Sequence, residues 1–162
     1  MTPATRAHRV DQTILHGDPQ RLGNCFAACV ATATGKALHE VPHFVEWGQY
    51  LHNGQPRDDE DPDRECWWAM FIGWTMALGL HPVALRSVHD ADPDELVFVS
   101  GLSVRGAMHQ VLYRNASLWH DPHPSREGIL SIDPDDLIYV LRPLPPAGHD
   151  HEPTTEIGGD PA

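Results

Sequence analysis

Apolar residues recur with a helical period in the first half of the chain and with a period of two in the second half. The first half predicts three helices, each with apolar side chains on one face, over residues 25–34, 44–51 and 64–80. The alternating segments predict short strands over residues 83–86, 96–99, 108–113, 118–120 and 137–141, with a further short strand at 10–15. Helices followed by strands indicate an α+β fold, with a mostly antiparallel sheet packed on the first helix.

The chain predicts one domain with two flexible ends. Its 162 residues are enough for a single hydrophobic core, which we place at residues 10–142. Residues 1–9 are expected to form a flexible lead-in. Residues 143–162 are rich in proline, glycine and acidic side chains, and this composition is typical of a disordered tail.

Charge and composition exclude several classes of protein. The formal net charge is −12 and Lys36 is the only lysine, so no basic stripe is available for a nucleic-acid partner. No apolar run approaches the ~18 residues of a membrane span, and the N-terminus lacks the apolar core of a signal peptide. We therefore expect a cytoplasmic protein with neither nucleic acid nor membrane as a partner. An odd count of three cysteines predicts free thiols.

The segment Gly23-Asn24-Cys25-Phe26-Ala27-Ala28-Cys29 places a cysteine where a helix begins. Asn24 is expected to cap this helix, and Gly35 to end it. Unpaired N–H groups and the positive end of the helix dipole favour a thiolate in the first turn. Cys25 is therefore a candidate nucleophile. Cys29, one turn further along, and Cys66 are interpreted as packing residues.

A base and an orienting group for this cysteine are offered by the predicted hairpin. His109 begins one strand and Asp121 ends the next, so their side chains can meet across the ladder. His109 would take the thiol proton, and Asp121 would orient the imidazole. His120 and His123 are competing partners. Because adjacent strand residues point to opposite faces, only one of His120 and Asp121 can face His109.

Stabilising an oxyanion requires further donors, which the Cys25 N–H and a side-chain amide could supply. Gln12 and Gln20 both lie upstream of the cysteine, and we prefer Gln12 because it lies on a predicted strand. Asn24, Ser103 and Arg105 are the candidate substrate-binding residues. Arg105 belongs to a loop, 101–106, that leads directly into His109, and it could hold a substrate carboxylate or phosphate.

One motif suggests a metal but does not fit one. His39-Glu40-Val41-Pro42-His43 matches His-Glu-x-x-His, which binds zinc only when both histidines share one face of a continuous helix. Pro42 would break such a helix at a cost of about 3 kcal/mol. The tail segment His149-Asp150-His151-Glu152 is interpreted as solvated. We therefore expect neither a metal nor a cofactor.

The order Gln, Gly-Asn-Cys-x-x-Ala-Cys, His-x-Val, Asp-Pro resembles the papain-like cysteine peptidases, nearest to the short C39-like bacterial members. More narrowly, a family of small bacterial and phage proteins is resembled by three blocks in order: "GNCFAACVATATGKALHEVPHF", "GLSVRGAMHQVLY" and "WHDPHPSREGI". The resemblance implies a papain-like fold over about residues 10–142, with Cys25 as nucleophile, His109 as base, Asp121 as orienting residue and Gln12 in the oxyanion hole. The chain departs from the pattern at Leu102 and Val104, where prolines would flank Ser103.

The resemblance does not identify a substrate. It implies a peptide or another amide-containing substrate, cleaved through a thioester intermediate. Papain-like proteins also include acyl transferases, deamidases and catalytically inactive binding modules, and these are the alternative functions for this chain.

Overall fold

The computed structural model describes residues 8–17, 21–50 and 64–146, with the backbone alone for 49–50 and 64–66. Within these ranges the chain forms three α-helices: α1 (Cys25–Thr34), α2 (Phe44–Tyr50) and α3 (Arg64–Ala77). The predicted bounds of α1 are confirmed. Helix α3 ends earlier than predicted, because the N–H groups of Leu78 and Gly79 bond to Thr75 and Met76 carbonyls in a tight turn into the first strand.

In the described part of the chain, six strands follow the helices and form one sheet. They are β1 (Leu80–Leu85), β2 (Val97–Leu102), β3 (Met108–Arg114), β4 (Ser117–His120), β5 (Ser131–Ile132) and β6 (Ile138–Pro143). Their order is β1-β6-β2-β3-β4, with β5 paired to the end of β2, and every pairing is antiparallel. The predicted α+β class with an antiparallel sheet is therefore confirmed.

The strand predicted at residues 10–15 is wrong, since this segment is irregular. Its N–H groups bond elsewhere: Val10 to the Thr32 hydroxyl, Gln12 to the Pro122 carbonyl, and both Thr13 and Ile14 to the Asn24 side chain. Backbone donors that are satisfied by scattered partners cannot also form a ladder.

Both faces of the sheet are covered by apolar side chains. Helix α1 packs on β3 and α3 packs on β1. Between the helices and the sheet lies an aromatic core in which Phe26 meets Phe71 edge-on at 5.1 Å and Phe98 stacks on Tyr139 at 4.7 Å. The opposite face carries a second cluster built from the alternate strand positions Val97, Val99, Val111 and Val140. Helix α1, buried along residues 26–32, is thus held firmly against the sheet.

The predicted hairpin is confirmed, and a two-residue turn joins β3 to β4. Asn115 and Ala116 have φ values of 50° and 56°, so both central residues are left-handed. Such a turn suits the right-handed twist of a hairpin. It brings the start of β3 back alongside the end of β4, which is where His109 and Asp121 lie.

The two predicted flexible ends fall mainly outside the described residues, at 1–7 and 147–162. Of the predicted lead-in, Arg9 is described, and its guanidinium lies 4.5 Å from the centre of the Trp119 ring. At the other end Pro143 is the last residue of β6 rather than the first of a tail, and the Leu144 N–H bonds to the Gly79 carbonyl. No helix in the described ranges is both long and apolar enough to cross a bilayer.

Candidate active site

Cys25 is the first residue of α1 and is partly exposed at the helix end. The first intrahelical bond runs from the Ala28 N–H to the Asn24 carbonyl. The N–H groups of residues 25–27 therefore have no acceptor within the helix, and they give this end a positive character. The rest of α1 is buried against the sheet, so the position of the Cys25 sulfur is fixed by the core.

Asn24 precedes the helix but does not cap it with its side chain, which corrects that expectation. Its Oδ1 accepts hydrogen bonds from the Thr13 and Ile14 N–H groups, at 3.0 and 2.9 Å, and its Nδ2 donates to the Thr13 hydroxyl. Because the amide is buried and both its oxygen and its nitrogen bond to this segment, it holds segment 13–14 against the start of α1. Asn24, a predicted substrate-binding residue, is thus engaged with the protein itself.

The Gly23 backbone also lies close to the segment that precedes it, at Ile14 and His16. A Cβ at Gly23 would lie 3.2 Å from the backbone nitrogen of His16. A glycine permits this approach because it carries no side chain. Gly23 and Asn24 together keep the N-terminal segment packed at the mouth of the site.

Gln12 lies in that segment and faces the same cavity as Cys25. Its Nε2 donates to the Ile14 carbonyl at 3.0 Å, which leaves one amide hydrogen unassigned. Its Oε1 is buried and has no hydrogen-bond partner within the described ranges. A buried polar atom without a partner costs about 1–3 kcal/mol. The unpartnered Gln12 oxygen therefore lowers the stability of the folded protein. Gln20, the alternative, lies outside the described residues.

His109 and Asp121 form a short buried pair. His109 Nε2 lies 2.6 Å from Asp121 Oδ1, and the two side chains are 5% and 1% exposed. Strand β4 ends at His120, which pairs with Leu112, so Asp121 lies beyond the ladder and meets His109 diagonally. His120 faces away, and its Nε2 bonds to the Val10 carbonyl at 2.8 Å. Of the two adjacent residues, Asp121 is the one that meets His109.

The two partners keep each other charged. Burial lowers the pKa of His109, but the hydrogen bond that its Nε2–H donates to Asp121 and the interaction with Cys25 outweigh this effect and raise the pKa to about 9. Burial raises the pKa of Asp121, but the hydrogen bonds from His109 and from the His123 and Gly128 N–H groups bring it down to about 2. At neutral pH the pair is an imidazolium and a carboxylate. Since Nε2 is bonded to Asp121, Nδ1 is the ring nitrogen left for Cys25.

The loop after β4 wraps around the Asp121 carboxylate. Oδ1 also accepts from the His123 N–H at 2.8 Å, and Oδ2 accepts from the Gly128 N–H at 2.7 Å. Arg126 closes this loop: its guanidinium donates to the Asp121 carbonyl and forms a two-point ion pair with Asp11, at 2.7 and 2.6 Å. Asp11 adjoins Gln12, so one arginine ties the Gln12 segment to the Asp121 loop.

Arg126 and Asp11 were not found by sequence reasoning. They are 115 residues apart, and no periodicity or motif links them.

Cys25, Gln12 and His109 line a cavity of about 290 Å³ together with Ser103 and Arg105. Ser103 is buried and its hydroxyl donates to the Ala107 carbonyl at 2.9 Å. Arg105 donates to the Ser125 hydroxyl at 2.9 Å and lies 3.6 Å from the Glu127 carboxylate. The structure thus gathers five of the seven predicted site residues around one cavity, with Asp121 behind His109 and Asn24 behind Cys25.

Gly101 lies where strands β2, β3 and β5 meet, next to His109. It pairs with His109 on β3 and with Ile132 on β5. A Cβ at Gly101 would lie 2.0 Å from the Ser131 carbonyl oxygen, so no other residue allows β5 to approach. The loop predicted at 101–106 therefore begins as strand, and only residues 103–106 form the turn.

The remaining candidate residues have other roles. Cys29 is fully buried, its Sγ lies 3.5 Å from the Gln110 carbonyl oxygen, and burial raises its pKa well above that of a free thiol. The Cys66 side chain lies outside the described residues. His123, the other competing histidine, lies edge-on to His109 with ring centres 6.1 Å apart, and burial lowers its pKa.

The zinc-like motif does not lie on one helix. Leu38–Glu40 is a short 3₁₀ turn, and α2 begins only at Phe44, after His43. His43 Nε2 bonds to the Leu22 carbonyl at 2.9 Å, so its ring is engaged away from His39. Nowhere in the described ranges do three or more metal-ligating side chains converge. The tail histidines, His149 and His151, fall outside these ranges.

No family model, curated protein or solved structure matches this chain. The case for its function therefore depends on the geometry of the site.

Proposed function

We propose that the protein is a papain-like cysteine hydrolase, which cleaves an amide or related acyl bond in a peptide or other amide-containing substrate. Cys25 is the nucleophile, His109 the base and Asp121 the orienting residue. One observation carries the proposal: the His109 imidazole, bonded to buried Asp121 at 2.6 Å, opens onto the same cavity as a cysteine at a helix N-terminus. A cysteine, an oriented imidazole and free N–H donors are the parts that acyl transfer requires.

The charge state of His109 supports this assignment. A pKa of about 9, caused by Asp121 and Cys25, keeps the imidazole protonated at neutral pH. An imidazolium beside a thiol favours the thiolate, which is the nucleophilic form of cysteine. A histidine that was merely packed in a core would have its pKa lowered by burial. The Asp121 contact thus prepares His109 for proton transfer.

The reaction follows from these positions. The Cys25 thiolate attacks the substrate carbonyl carbon, and the oxyanion accepts hydrogen bonds from the Cys25 N–H and the Gln12 amide. The His109 imidazolium gives its proton to the leaving amine as the carbon–nitrogen bond breaks, and a thioester remains. His109, now neutral, takes a proton from water, which attacks the thioester and releases the acid and the free thiolate.

Selective labelling tests the proposal. The protein is treated with iodoacetamide at pH 7, and the label on each of the three cysteines is quantified by mass spectrometry. Cys25 should react first, and His109→Ala should slow it by about tenfold or more. His89→Ala is the matched control, since His89 is exposed on a surface turn. Equal labelling of all three cysteines, unchanged by His109→Ala, would refute the nucleophile assignment.

Acyl transfer requires a second readout, because a binding module could keep a reactive thiol. With p-nitrophenyl acetate, a hydrolase releases a burst of p-nitrophenolate equal to the Cys25 content and then turns over. A Cys25→Ala protein should show neither phase. A reactive Cys25 that gives no burst would favour the catalytically inactive alternative.

A further inference from the structure

We infer that the cavity beside Cys25 selects an acyl group that carries a carboxylate, and that Arg105 recognises it. This inference rests on the proposed function, because it concerns the substrate of the same cysteine. The argument comes from how Arg105 is held, from what its guanidinium contacts, and from the other charges that line the cavity.

Arg105 is presented by a closed turn between β2 and β3. The Ser103 N–H and hydroxyl both bond to the Ala107 carbonyl, and the Gly106 N–H bonds to the Ser103 carbonyl. These bonds fix the backbone of the turn. The Arg105 side chain is 27% exposed and lines the cavity that Cys25 and His109 also line. The guanidinium is thus held at the site rather than free in solvent.

The guanidinium differs from the other ion-paired arginines of the described ranges in what it contacts. Those four each have a carboxylate oxygen within 2.8 Å: Arg21 with Glu46, Arg114 with Asp94, Arg126 with Asp11 and Arg142 with Glu95. Among the residues that the structure describes, Arg105 contacts the Ser125 hydroxyl at 2.9 Å and an exposed Glu127 carboxylate at 3.6 Å. A planar guanidinium with five N–H donors can bind both oxygens of one carboxylate at the same time. Among the described residues no carboxylate binds Arg105 in this way.

Comparison with the other titratable side chains that line the cavity identifies Arg105 as the group that would bind an anion. His123 also lines the cavity, but burial and the charge of Arg105 lower its pKa, so its ring is neutral at pH 7. Asp136 lines the cavity without forming an ion pair with Arg105. The chain as a whole carries a net charge of −12 and repels anions. Selection of an anion must therefore come from a local cation, and among the described residues that line the cavity Arg105 is the one arginine or lysine.

The size of the cavity limits the ligand. A volume of about 290 Å³ lies at the small end of ligand pockets. It accommodates a group the size of one amino-acid side chain, with its carboxylate, next to the reacting carbonyl.

Two reagents that differ only in charge test the inference. Iodoacetate and iodoacetamide both alkylate a thiolate: the sulfur bonds to the CH₂ carbon and iodide leaves, while the proton that the thiol gave up earlier stays on His109. The ratio of their rate constants at Cys25 measures the preference for a carboxylate and cancels the reactivity of the sulfur. Arg105→Gln should lower this ratio by about three- to tenfold, as expected for loss of a partly exposed charged hydrogen bond.

Matched variants separate a local contact from overall charge. Arg114→Gln removes the same charge at the far end of β3, where Arg114 pairs with Asp94, and should change the ratio by less than about twofold at moderate salt. Glu127→Gln removes the competing carboxylate and should raise the ratio. An equal fall in the Arg105 and Arg114 variants, or no fall in the Arg105 variant, would overturn the inference.

Binding without chemistry distinguishes this failure from failure of the proposed function. In Cys25→Ala protein, succinate should shift the Arg105 Nε–H resonance with saturation, and neutral succinamide should not. A shift with succinate in a chain whose Cys25 proves unreactive would support the anion site while refuting the hydrolase. A reactive Cys25 with no succinate-dependent shift would refute the anion site alone.

Discussion

His109 Nε2 and Asp121 Oδ1 lie 2.6 Å apart, on two side chains that are almost completely buried. Two further N–H groups, from His123 and Gly128, converge on the same carboxylate. All three partners of Asp121 are donors. The carboxylate therefore keeps a proton on His109 Nε2 in both the charged and the neutral ring, and it leaves Nδ1 as the nitrogen that can exchange a proton with Cys25.

Asp121→Asn is expected to disturb this arrangement, although it preserves the size of the side chain. An amide has one acceptor and one donor end, so its NH₂ must face either the Gly128 N–H or the His109 Nε2–H. The first choice sets the NH₂ against the Gly128 N–H, and the second sets it against the His123 N–H and requires the other His109 tautomer. We expect a loss of about 1–3 kcal/mol in the free energy of unfolding, measured with urea, and a lowered pKa of His109, measured by NMR titration. An unchanged His109 pKa would contradict the pairing.

The stability of the protein should depend on pH through this pair. The pKa of His109 is raised from 6.5 to about 9, so its contribution is complete below pH 6.5 and is lost as the pH rises through 9. The pKa of Asp121 is lowered from 3.8 to about 2, so its contribution is present above pH 3.8 and is lost as the pH falls through 2. Urea unfolding should show a decline of about 1–3 kcal/mol between pH 6.5 and 10. His109→Ala should flatten that decline, and an identical decline in the variant would disprove the cause.

Gln12→Ala should separate acylation from alkylation. Its amide would stabilise an oxyanion, which forms on a carbonyl but not during attack on iodoacetamide. We expect the p-nitrophenyl acetate burst rate to fall by about 10²- to 10³-fold, while the alkylation of Cys25 changes little. The stability should change little, because the variant removes both one hydrogen bond and one unpaired buried oxygen. Equal losses in the two reactions would assign Gln12 a structural role only.

Arg126→Met should loosen the link between Gln12 and Asp121. The Arg126–Asp11 pair is exposed, so a double-mutant cycle with Asp11→Asn should give a coupling of only about 0.2–1 kcal/mol. Because Arg126 acts on the position of these segments, the acylation burst should fall more than the alkylation rate, and Arg126→Lys should restore part of it. A loss of stability with both rates unchanged would argue against the positioning role.

Ala116→Gly should stabilise the hairpin without affecting the site. Ala116 has a φ of 56°, a conformation that costs a residue with a Cβ about 1–2 kcal/mol. Glycine removes this cost but adds some entropy to the unfolded chain, so a net gain of about 0.5–1 kcal/mol is expected. Thermal unfolding measures the gain, with Cys25 alkylation as the control. A lower melting temperature would show that the turn is not strained.

The sequence by itself determined the local features of this protein. The bounds of α1, the course of the β3–β4 hairpin and the resulting approach of His109 and Asp121 depend on residues close together in the chain. Helical spacing, turn residues and strand alternation encode such contacts directly. Strand geometry alone predicts that only one of His120 and Asp121 can face His109. In the structure that residue is Asp121.

Only the tertiary structure decided how the remaining parts meet. Segment 10–14 is not a strand, because distant groups, the Thr32 hydroxyl, the Asn24 amide and the Pro122 carbonyl, take its N–H groups. The Asp11–Arg126 pair joins residues that no local pattern relates. The weak pairing of Arg105 is visible only beside the close pairs of the other arginines. Hydrogen bonds and ion pairs between distant segments depend on the folded positions of both partners, and a one-dimensional pattern does not contain those positions.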